Sequence, residues 1–267
     1  MDGFYSNEYY GPDHQRFKRA PERIILLFRR ARAMRVMHMI PVGGAVLDVG
    51  CGRGEFLDIL AKHGYRCLGT ERSEASGCDA GKHVKVMVGN IEDLNLPDES
   101  FDLVTFWQVL EHLHDPKQAI AEASRILRPG GKMLIQVPNP ESIQARTGPY
   151  WFHLDPPRHL YLMPLHCLDK VAYQSGLARE KVTTLNFEYS PFGVLQSLWN
   201  ITGVRRDLLY EMLMAAENKE SPLPASTRAA LLTSSILAAP FAALLSLAEW
   251  AIGKGGIIEA VYVKKKN

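Results

Sequence analysis

The sequence predicts an open, doubly wound α/β sheet, and two observations carry this prediction. Short apolar runs of strand length alternate along the middle of the chain with segments whose apolar residues recur at helical spacing. The connections between these segments are short and contain Gly or Pro. Repeated strand–helix units of this kind form a parallel sheet that is covered by helices on both faces.

The first strand–helix–strand unit spans residues 45–71. AVLDVG (45–50) is predicted as a buried strand because it is almost entirely apolar. GEFLDILAKHG (54–64) is predicted as a helix that ends at Gly64, and YRCLGTE (65–71) as the next strand. The first strand-to-helix turn therefore lies at 50–54.

Three further strands follow in the second half of this core. They are predicted in HVKVMVG (83–89), FDLVTFW (101–107) and GKMLIQVP (131–138). The segment DPKQAIAEASRILRPGG between the last two is predicted as a helix. Asp115 is a suitable N-cap, Pro116 suits the first helical position, and Pro-Gly-Gly ends the helix.

Additions are predicted on both sides of the core. Residues 1–40 contain a tyrosine-rich stretch (FYSNEYYG, 4–11), a candidate lid over a ligand, and then an arginine-rich helix (21–40). We expect the core to occupy 41–189, an apolar helical insertion to occupy 190–254, and a terminal strand with a basic tail to occupy 255–267.

Composition argues against several classes of partner. The formal net charge is only +2, and no arginine-rich tract is interleaved with aromatic residues, so no nucleic-acid partner is expected. The four cysteines show no paired CxxC spacing, which predicts neither a metal site nor a disulfide framework. A reducing, cytoplasmic setting is therefore expected.

The turn VGCGRGE (49–55) is the candidate ligand site. Gly50, Gly52 and Gly54 can adopt backbone angles closed to other residues and let the main chain approach a ligand. In a doubly wound sheet, ligands bind at the carboxyl ends of the strands, where the strand order reverses. Glu71 ends the second strand, where a carboxylate can bind two ribose hydroxyls. Together these features predict a nucleoside-type cofactor.

The spacing of the glycines disfavours a dinucleotide. The fingerprint G-x-G-x-x-G requires a third glycine at the position of Glu55, and a carboxylate at the start of the helix would oppose a pyrophosphate. A nicotinamide-dependent oxidoreductase is therefore an alternative rather than the first interpretation.

Several ordered motifs resemble those of the class I S-adenosylmethionine-dependent methyltransferases. VLDVGCGRGEFL (46–57) resembles the first motif, GTERS (69–73) the second, residues 88–116 the third and fourth, and ILRPGGKMLIQVP (126–138) the fifth. Residues 153–177 resemble the segment that follows the cofactor domain in a broad bacterial subgroup. The resemblance implies a Rossmann-like seven-stranded sheet, mostly parallel with an antiparallel last strand, and S-adenosyl-L-methionine as the cofactor.

The resemblance also implies roles for individual residues of the cofactor site. They are Asp48, Gly50, Cys51, Gly52 and Gly54 for the methionine part, Glu71 with Arg72 beside it for the ribose, Asn90 and Ile91 for the adenine, and Trp107 and Gln108 beside the sulfonium. The family usually has Asp where this chain has Asn90, whose carbonyl can also accept a hydrogen bond. Trp107 has an alternative interpretation as a core residue.

An acceptor hydroxyl must lose a proton, and histidine can accept one near neutral pH. His112 in VLEHLHDP and His159 in FHLDPPRHLY are the candidate bases, with His153 beside them. His112 could instead fix the loop beneath the site, and His153 could cap the following helix. No catalytic metal is predicted, although the resemblance implies an alternative in which Glu111 and His112 form a metal-binding pair, as in some quinone-directed relatives.

Residues 229–248 contain no charge and are long enough to cross a membrane. A crossing is disfavoured because the predicted terminal strand must return to the sheet. We expect either a helical hairpin, bent near Pro240, that dips into one leaflet over 229–252, or a buried helix pair or oligomer interface. Lys254 and the lysines at 264–266 could contact anionic lipid.

The resemblance implies methyl transfer to an acceptor molecule. Because residues 190–254 are so apolar, we expect a lipid-linked acceptor such as a glycan or quinone precursor, with another small molecule as the alternative. A hydroxyl is the expected nucleophile, with nitrogen and carbon left open. We expect the protein in the cytoplasm, with a peripheral contact to the inner face of the membrane as one alternative. A non-catalytic cofactor-binding protein on the same fold is the remaining alternative.

Overall fold

The structure is a computed structural model that describes residues 19–72, 84–214 and 224–266. The predicted lid at 4–11 lies outside these ranges.

Helices and strands alternate through the core. The helices are α1 (Arg19–Met37), α2 (Glu55–Lys62), α3 (Pro116–Ile126), α4 (Leu165–Gln174), α5 (Ser190–Ile201), α6 (Leu208–Leu213) and α7 (Ala225–Ala251). The strands are β1 (Ala45–Val49), β2 (Arg66–Glu71), β3 (Lys85–Val88), β4 (Phe101–Trp107), β5 (Leu127–Pro138), β6 (Leu177–Thr183) and β7 (Ile257–Lys264). Short 3-10 turns lie at 91–93, 110–112 and 144–150.

The strands form one seven-stranded sheet in the order β3-β2-β1-β4-β5-β7-β6. Strands β1 to β5 pair in parallel, whereas β7 pairs antiparallel with both β5 and β6. The strand order reverses between β1 and β4, which is where such sheets bind ligands. The predicted doubly wound sheet with an antiparallel last strand is confirmed.

Local signals explain why α3 begins where it does. The Asp115 side chain accepts hydrogen bonds from the backbone N–H groups of Lys117 (3.1 Å) and Gln118 (2.9 Å). Pro116 occupies the first turn, as predicted. The following strand begins earlier than expected, at Leu127, because the Pro-Gly-Gly segment is itself part of β5.

Each face of the sheet buries its own apolar cluster. One cluster joins residues of β1, β4 and β5 to α3 and α4, and Phe106 and Met133 are fully buried in it. The other joins the opposite face to α1 and α2, with Phe56 and Leu57 at its centre. The second face becomes polar toward the carboxyl ends of the strands, where buried Asp48, Thr105, Gln136 and Glu259 follow one another across the sheet.

Helices α5, α6 and α7 stand between β6 and β7 and share a third cluster, which includes Leu209 and Leu231. The terminal strand predicted after them is present as β7. The prediction of a hairpin bent near Pro240 is wrong, because α7 continues through Pro240 as one helix. By length and composition α7 is suited to cross a membrane. Of its most apolar stretch of 18 residues, 22% is buried against the rest of the protein.

Candidate active site

The loop after β1 has the backbone that its glycines predict. Gly50, Gly52 and Gly54 have φ angles of 67°, 53° and 67°, a left-handed conformation that favours glycine. A Cβ atom on Gly50 would lie 2.7 Å from Cγ2 of Val109, so the loop packs directly against the segment after β4. A Cβ atom on Gly52 would meet nothing within 4 Å. The loop therefore offers bare main chain to open space, which fits the adenosyl cofactor.

Glu71 points back to this loop from the end of β2. Its carboxylate accepts hydrogen bonds from the backbone N–H of Gly52 (2.9 Å) and of Arg72 (3.0 Å). Burial raises the pKa of Glu71, while these two bonds act to lower it. A carboxylate has about four acceptor positions, so it can still receive ribose hydroxyls. Cys51 packs against β2, since a Cβ atom on Gly69 would lie only 2.5 Å from its Sγ atom.

Asp48 is buried beneath the loop. Its carboxylate accepts a hydrogen bond from Oγ1 of Thr105 (2.6 Å), its neighbour on β4. Burial raises the pKa of Asp48 to about 7, although the Thr105 bond and the charge of Arg32 oppose this change. The side chain is thus buried next to the cofactor loop, and its contact with the methionine part of the cofactor stays a prediction.

Asn90 and Ile91 follow β3 at the same edge of the sheet. Asn90 is exposed, and its amide donates to the Asp93 carboxylate (2.9 Å). The Ile91 side chain is buried in the core, so only its backbone is available to an adenine. Adenine recognition by these two residues stays a prediction.

Trp107 belongs to the core on the α1 and α2 side. Its ring packs edge-on against Phe56, with centroids 5.7 Å apart, and is 9% exposed. This position agrees with the alternative interpretation of Trp107 as a core residue. A contact between Trp107 and the sulfonium stays a prediction. Gln108 has a positive φ of 56°, which is uncommon for a residue with a side chain and costs free energy. The strained residue directs the chain from β4 toward Val109 and the glycine loop.

Arg32 of α1 packs against Trp107, although it was not among the residues predicted from the sequence. Its guanidinium lies 4.6 Å from the centre of the Trp107 ring and bonds to Glu188 and to the Tyr189 hydroxyl. It is close enough to Asp48 to lower the pKa of that carboxyl. Arg32 adjoins the buried stripe of α1, formed by Ala33 and Val36, but this position does not show from the sequence that it packs over Trp107.

Glu111 and His112 lie in the 3-10 turn that follows Val109, and His159 packs against them. The backbone N–H of Leu160 donates to the carbonyl of Glu111 (2.7 Å), which holds the segment around His159 against the 3-10 turn at 110–112. The rings of His112 and His159 are 4.7 Å apart. The structure therefore brings together the candidate bases His112 and His159 with Glu111, the neighbour of His112 in the possible metal-binding pair.

The ring orientations follow from hydrogen bonds to carbonyl oxygens. Nδ1 of His112 donates to the Arg158 carbonyl (3.0 Å), and Nδ1 of His159 donates to the His153 carbonyl (2.7 Å). In the neutral rings Nε2 then carries the lone pair. Burial lowers the pKa of His112 to about 4 and also lowers that of His159, so both rings are neutral near pH 7.

Glu111 differs from the histidines in its protonation. It is 1% exposed, and neither carboxylate oxygen has a hydrogen-bond partner within the described ranges. Burial raises the pKa of Glu111 to about 8. Ligand atoms of Glu111, His112 and His159 all lie within 4.8 Å of one another, so this group could also hold a metal ion. The predicted absence of a metal stays a prediction.

His153, the neighbouring histidine, is not part of the group formed by Glu111, His112 and His159. It is 5% exposed, and burial lowers its pKa to about 3. The expectation that it caps the next helix is wrong, because α4 begins at Leu165 and its N-cap residue is Pro164. Its carbonyl instead orients His159.

Comparison with known proteins agrees with this geometry. A family model described as "Methyltransferase domain" matches residues 13–182, which is more than half of the chain. A solved structure of an S-adenosylmethionine-dependent methyltransferase from Archaeoglobus fulgidus superposes with a TM-score of 0.57 at 19% identity, over 90% of this chain and 94% of that one. This similarity shows the fold.

Curated relatives match a smaller region. A protein of Mycolicibacterium smegmatis named "Probable S-adenosylmethionine-dependent methyltransferase" is 40% identical over 36% of this chain and 39% of its own length. A ubiquinone biosynthesis O-methyltransferase of Coxiella burnetii is 35% identical over 36% of this chain and 44% of its own length. The match thus covers less than half the length of these relatives.

The site and the comparisons together decide between the cofactors considered. A nicotinamide-dependent oxidoreductase is not supported, because the family match and the Gly-x-Gly-x-Gly loop agree on S-adenosylmethionine. The chain belongs to the methyltransferase-domain family, within the class I S-adenosylmethionine-dependent methyltransferases.

Proposed function

We propose that the protein transfers a methyl group from S-adenosylmethionine to a hydroxyl oxygen of a small or lipid-linked acceptor, such as a glycan or quinone precursor. Nitrogen and carbon acceptors are the alternatives. The observation that carries the proposal is the cluster of Glu111, His112 and His159. The 3-10 turn at 110–112 directly follows Val109, which packs against Gly50 of the cofactor loop.

When bound, the cofactor supplies a methyl group that is already electrophilic, so the protein mainly has to align the acceptor and remove its proton. In the proposal, Nε2 of His159 accepts the hydroxyl proton as the oxygen forms its bond to the methyl carbon. His112 is a poor base near neutral pH because burial lowers its pKa to about 4. Its bond to the Arg158 carbonyl also supports a role in holding the loop that carries His159.

Glu111 completes the proposed proton site. Because burial raises its pKa to about 8, it is mostly protonated near pH 7 and can donate a hydrogen bond to the acceptor. The ubiquinone biosynthesis O-methyltransferase among the relatives supports a hydroxyl acceptor. The apolar helix α7 supports a lipid-linked one, met by a cytoplasmic protein at the inner face of the membrane.

The first experiment separates cofactor binding from catalysis. We expect calorimetry to detect S-adenosylhomocysteine binding and no binding of NADH. Methyl-labelled S-adenosylmethionine is then incubated with the protein and with either a lipid extract or a water-soluble metabolite extract, and the labelled product is identified by mass spectrometry. Binding without any labelled product would favour the non-catalytic alternative.

His159→Gln tests the proposed base. We expect turnover to fall by about 10²–10⁴-fold, as is typical when a general base is removed, with unchanged affinity for S-adenosylhomocysteine. His63→Gln is the matched control, because His63 also bonds a backbone carbonyl through Nδ1 (2.8 Å) but lies exposed after α2. Equal turnover in the two variants would show that His159 is not the base.

A further inference from the structure

The outward face of α7 is more apolar than its inward face. Ile236, Leu237, Phe241 and Leu244 are 72%, 76%, 57% and 64% exposed. The residues that α7 buries are mostly small or polar, namely Leu231, Ser235, Ala242, Ser246 and Glu249. A helix that faced water would show the opposite arrangement, so this face is suited to an apolar environment.

Specific contacts hold α7 in this orientation. Nε1 of Trp199 on α5 donates to Oγ of Ser235 (3.0 Å), and the Gln144 amide donates to the Glu249 carboxylate (2.7 Å). These bonds turn the polar residues of α7 toward the protein. Since the chain then returns to the sheet in β7, α7 can lie along a membrane surface but not cross it.

The charges around this face distinguish between possible occupants. No charged residue occurs from 229 to 248, and the next, Glu249, is buried. Arg228 and exposed Lys254 lie just beyond the two ends of the apolar stretch. Two copies of α7 paired about a two-fold axis would bring like charges together at both ends, whichever way the helices ran. A surface of anionic lipid would instead attract both ends.

We propose that α7 docks on an anionic bilayer, with its axis in the plane of the membrane and the side chains of Ile236, Leu237, Phe241 and Leu244 inserted among the acyl chains. Trp250 and Ile252, which are 42% and 63% exposed, continue the face toward Lys254. Tryptophan favours the boundary between headgroups and acyl chains, so Trp250 suits this end of the helix. The inference deepens the proposed function, on whose membrane location it rests, by naming the surface that contacts lipid, and its test does not depend on which acceptor is methylated.

Flotation of the whole chain with lipid vesicles tests the proposal. We expect the protein to float with vesicles of phosphatidylcholine and phosphatidylglycerol, and to float much less with phosphatidylcholine alone. Raising the salt from about 0.1 M to about 1 M should weaken the attraction, because the Debye length falls from about 10 Å to about 3 Å. The double variant Leu237→Gln and Leu244→Gln should bind at least about tenfold more weakly, since two buried leucines are lost.

A matched control separates a local effect from a general loss of surface apolarity. Val42→Gln changes a residue that is 90% exposed, before β1 and far from α7 in sequence, and it should leave vesicle binding unchanged. S-adenosylhomocysteine binding, measured on every variant, reports whether the fold and the cofactor site are intact. Intact cofactor binding with no flotation of the wild type would overturn docking and leave the proposed function standing. Flotation without methyl transfer would support docking and contradict the proposed function.

Light scattering in the absence of lipid tests the competing occupant. A dimer that dissociates in the Leu237→Gln, Leu244→Gln variant and does not float would show that a second copy covers the face, and would overturn the proposal. A monomer that floats only with anionic vesicles would support it.

Discussion

Replacing Gly50 by Ala should strain the cofactor loop in two ways. The φ angle of Gly50 is 67°, and this left-handed conformation costs a residue with a Cβ about 1–2 kcal/mol. The new Cβ would also lie 2.7 Å from Cγ2 of Val109, and overpacking of this kind costs about 1–3 kcal/mol. We therefore expect the free energy of unfolding to fall by about 2–5 kcal/mol, measured by chemical denaturation.

Gly52→Ala is the matched comparison. Its φ angle is 53°, but its Cβ would meet nothing within 4 Å, so only the backbone cost of about 1–2 kcal/mol applies to stability. The same Cβ would project into the space that the cofactor is expected to occupy. We therefore expect Gly52→Ala to weaken S-adenosylhomocysteine binding in calorimetry more than it destabilises the fold.

A second substitution isolates the clash at Gly50. Val109→Ala removes the methyl groups that the new Cβ would contact, so it should restore part of the stability lost in Gly50→Ala. The reasoning is refuted if Gly50→Ala destabilises no more than Gly52→Ala, or if Val109→Ala simply adds its own cost to that of Gly50→Ala.

Three further predictions concern the buried polar groups of the site. Glu71→Gln should weaken S-adenosylhomocysteine binding by roughly tenfold, because charged hydrogen bonds become neutral ones, whereas exposed Glu141→Gln should leave calorimetry unchanged. Asp48 has a folded pKa of about 7, raised by burial from 3.8, so its contribution to stability is fully present below pH 3.8 and is lost as the pH rises from there through about 7. The loss is at most about 4 kcal/mol, and Asp48→Asn should remove it; parallel melting-temperature profiles from about pH 4 to about pH 8 for variant and wild type would contradict this. Chelation with EDTA should leave turnover unchanged if His159 is the base, and a loss that an added divalent ion restores would reassign Glu111, His112 and His159 to metal binding.

The core and the cofactor loop could be predicted because their signals are local. The glycines at 50, 52 and 54 and the apolar strand before them are adjacent in the chain, so their spacing alone indicates the turn. Glu71 followed from its place at the end of β2, since parallel strands present their carboxyl ends at one edge of the sheet. The helix at 116–126 followed from its own cap.

The candidate base and its partners were less predictable because they depend on contacts between distant segments. His112 and His159 were candidates by residue type, but nothing between them in the sequence indicates that their rings meet at 4.7 Å. Arg32 was missed for the same reason, since a helix of many arginines does not show which one packs over Trp107.

By itself, the sequence determined the doubly wound sheet and the left-handed glycine loop, because backbone geometry and strand–helix alternation depend on neighbouring residues. It indicated S-adenosylmethionine through the resemblance of its motifs to a known family. Only the tertiary structure decided that Glu111 is buried beside two neutral histidines and that α7 is a single helix with its large apolar side chains outward. The physical reason is that pKa changes and exposure arise from desolvation, and desolvation depends on which distant segments cover a side chain.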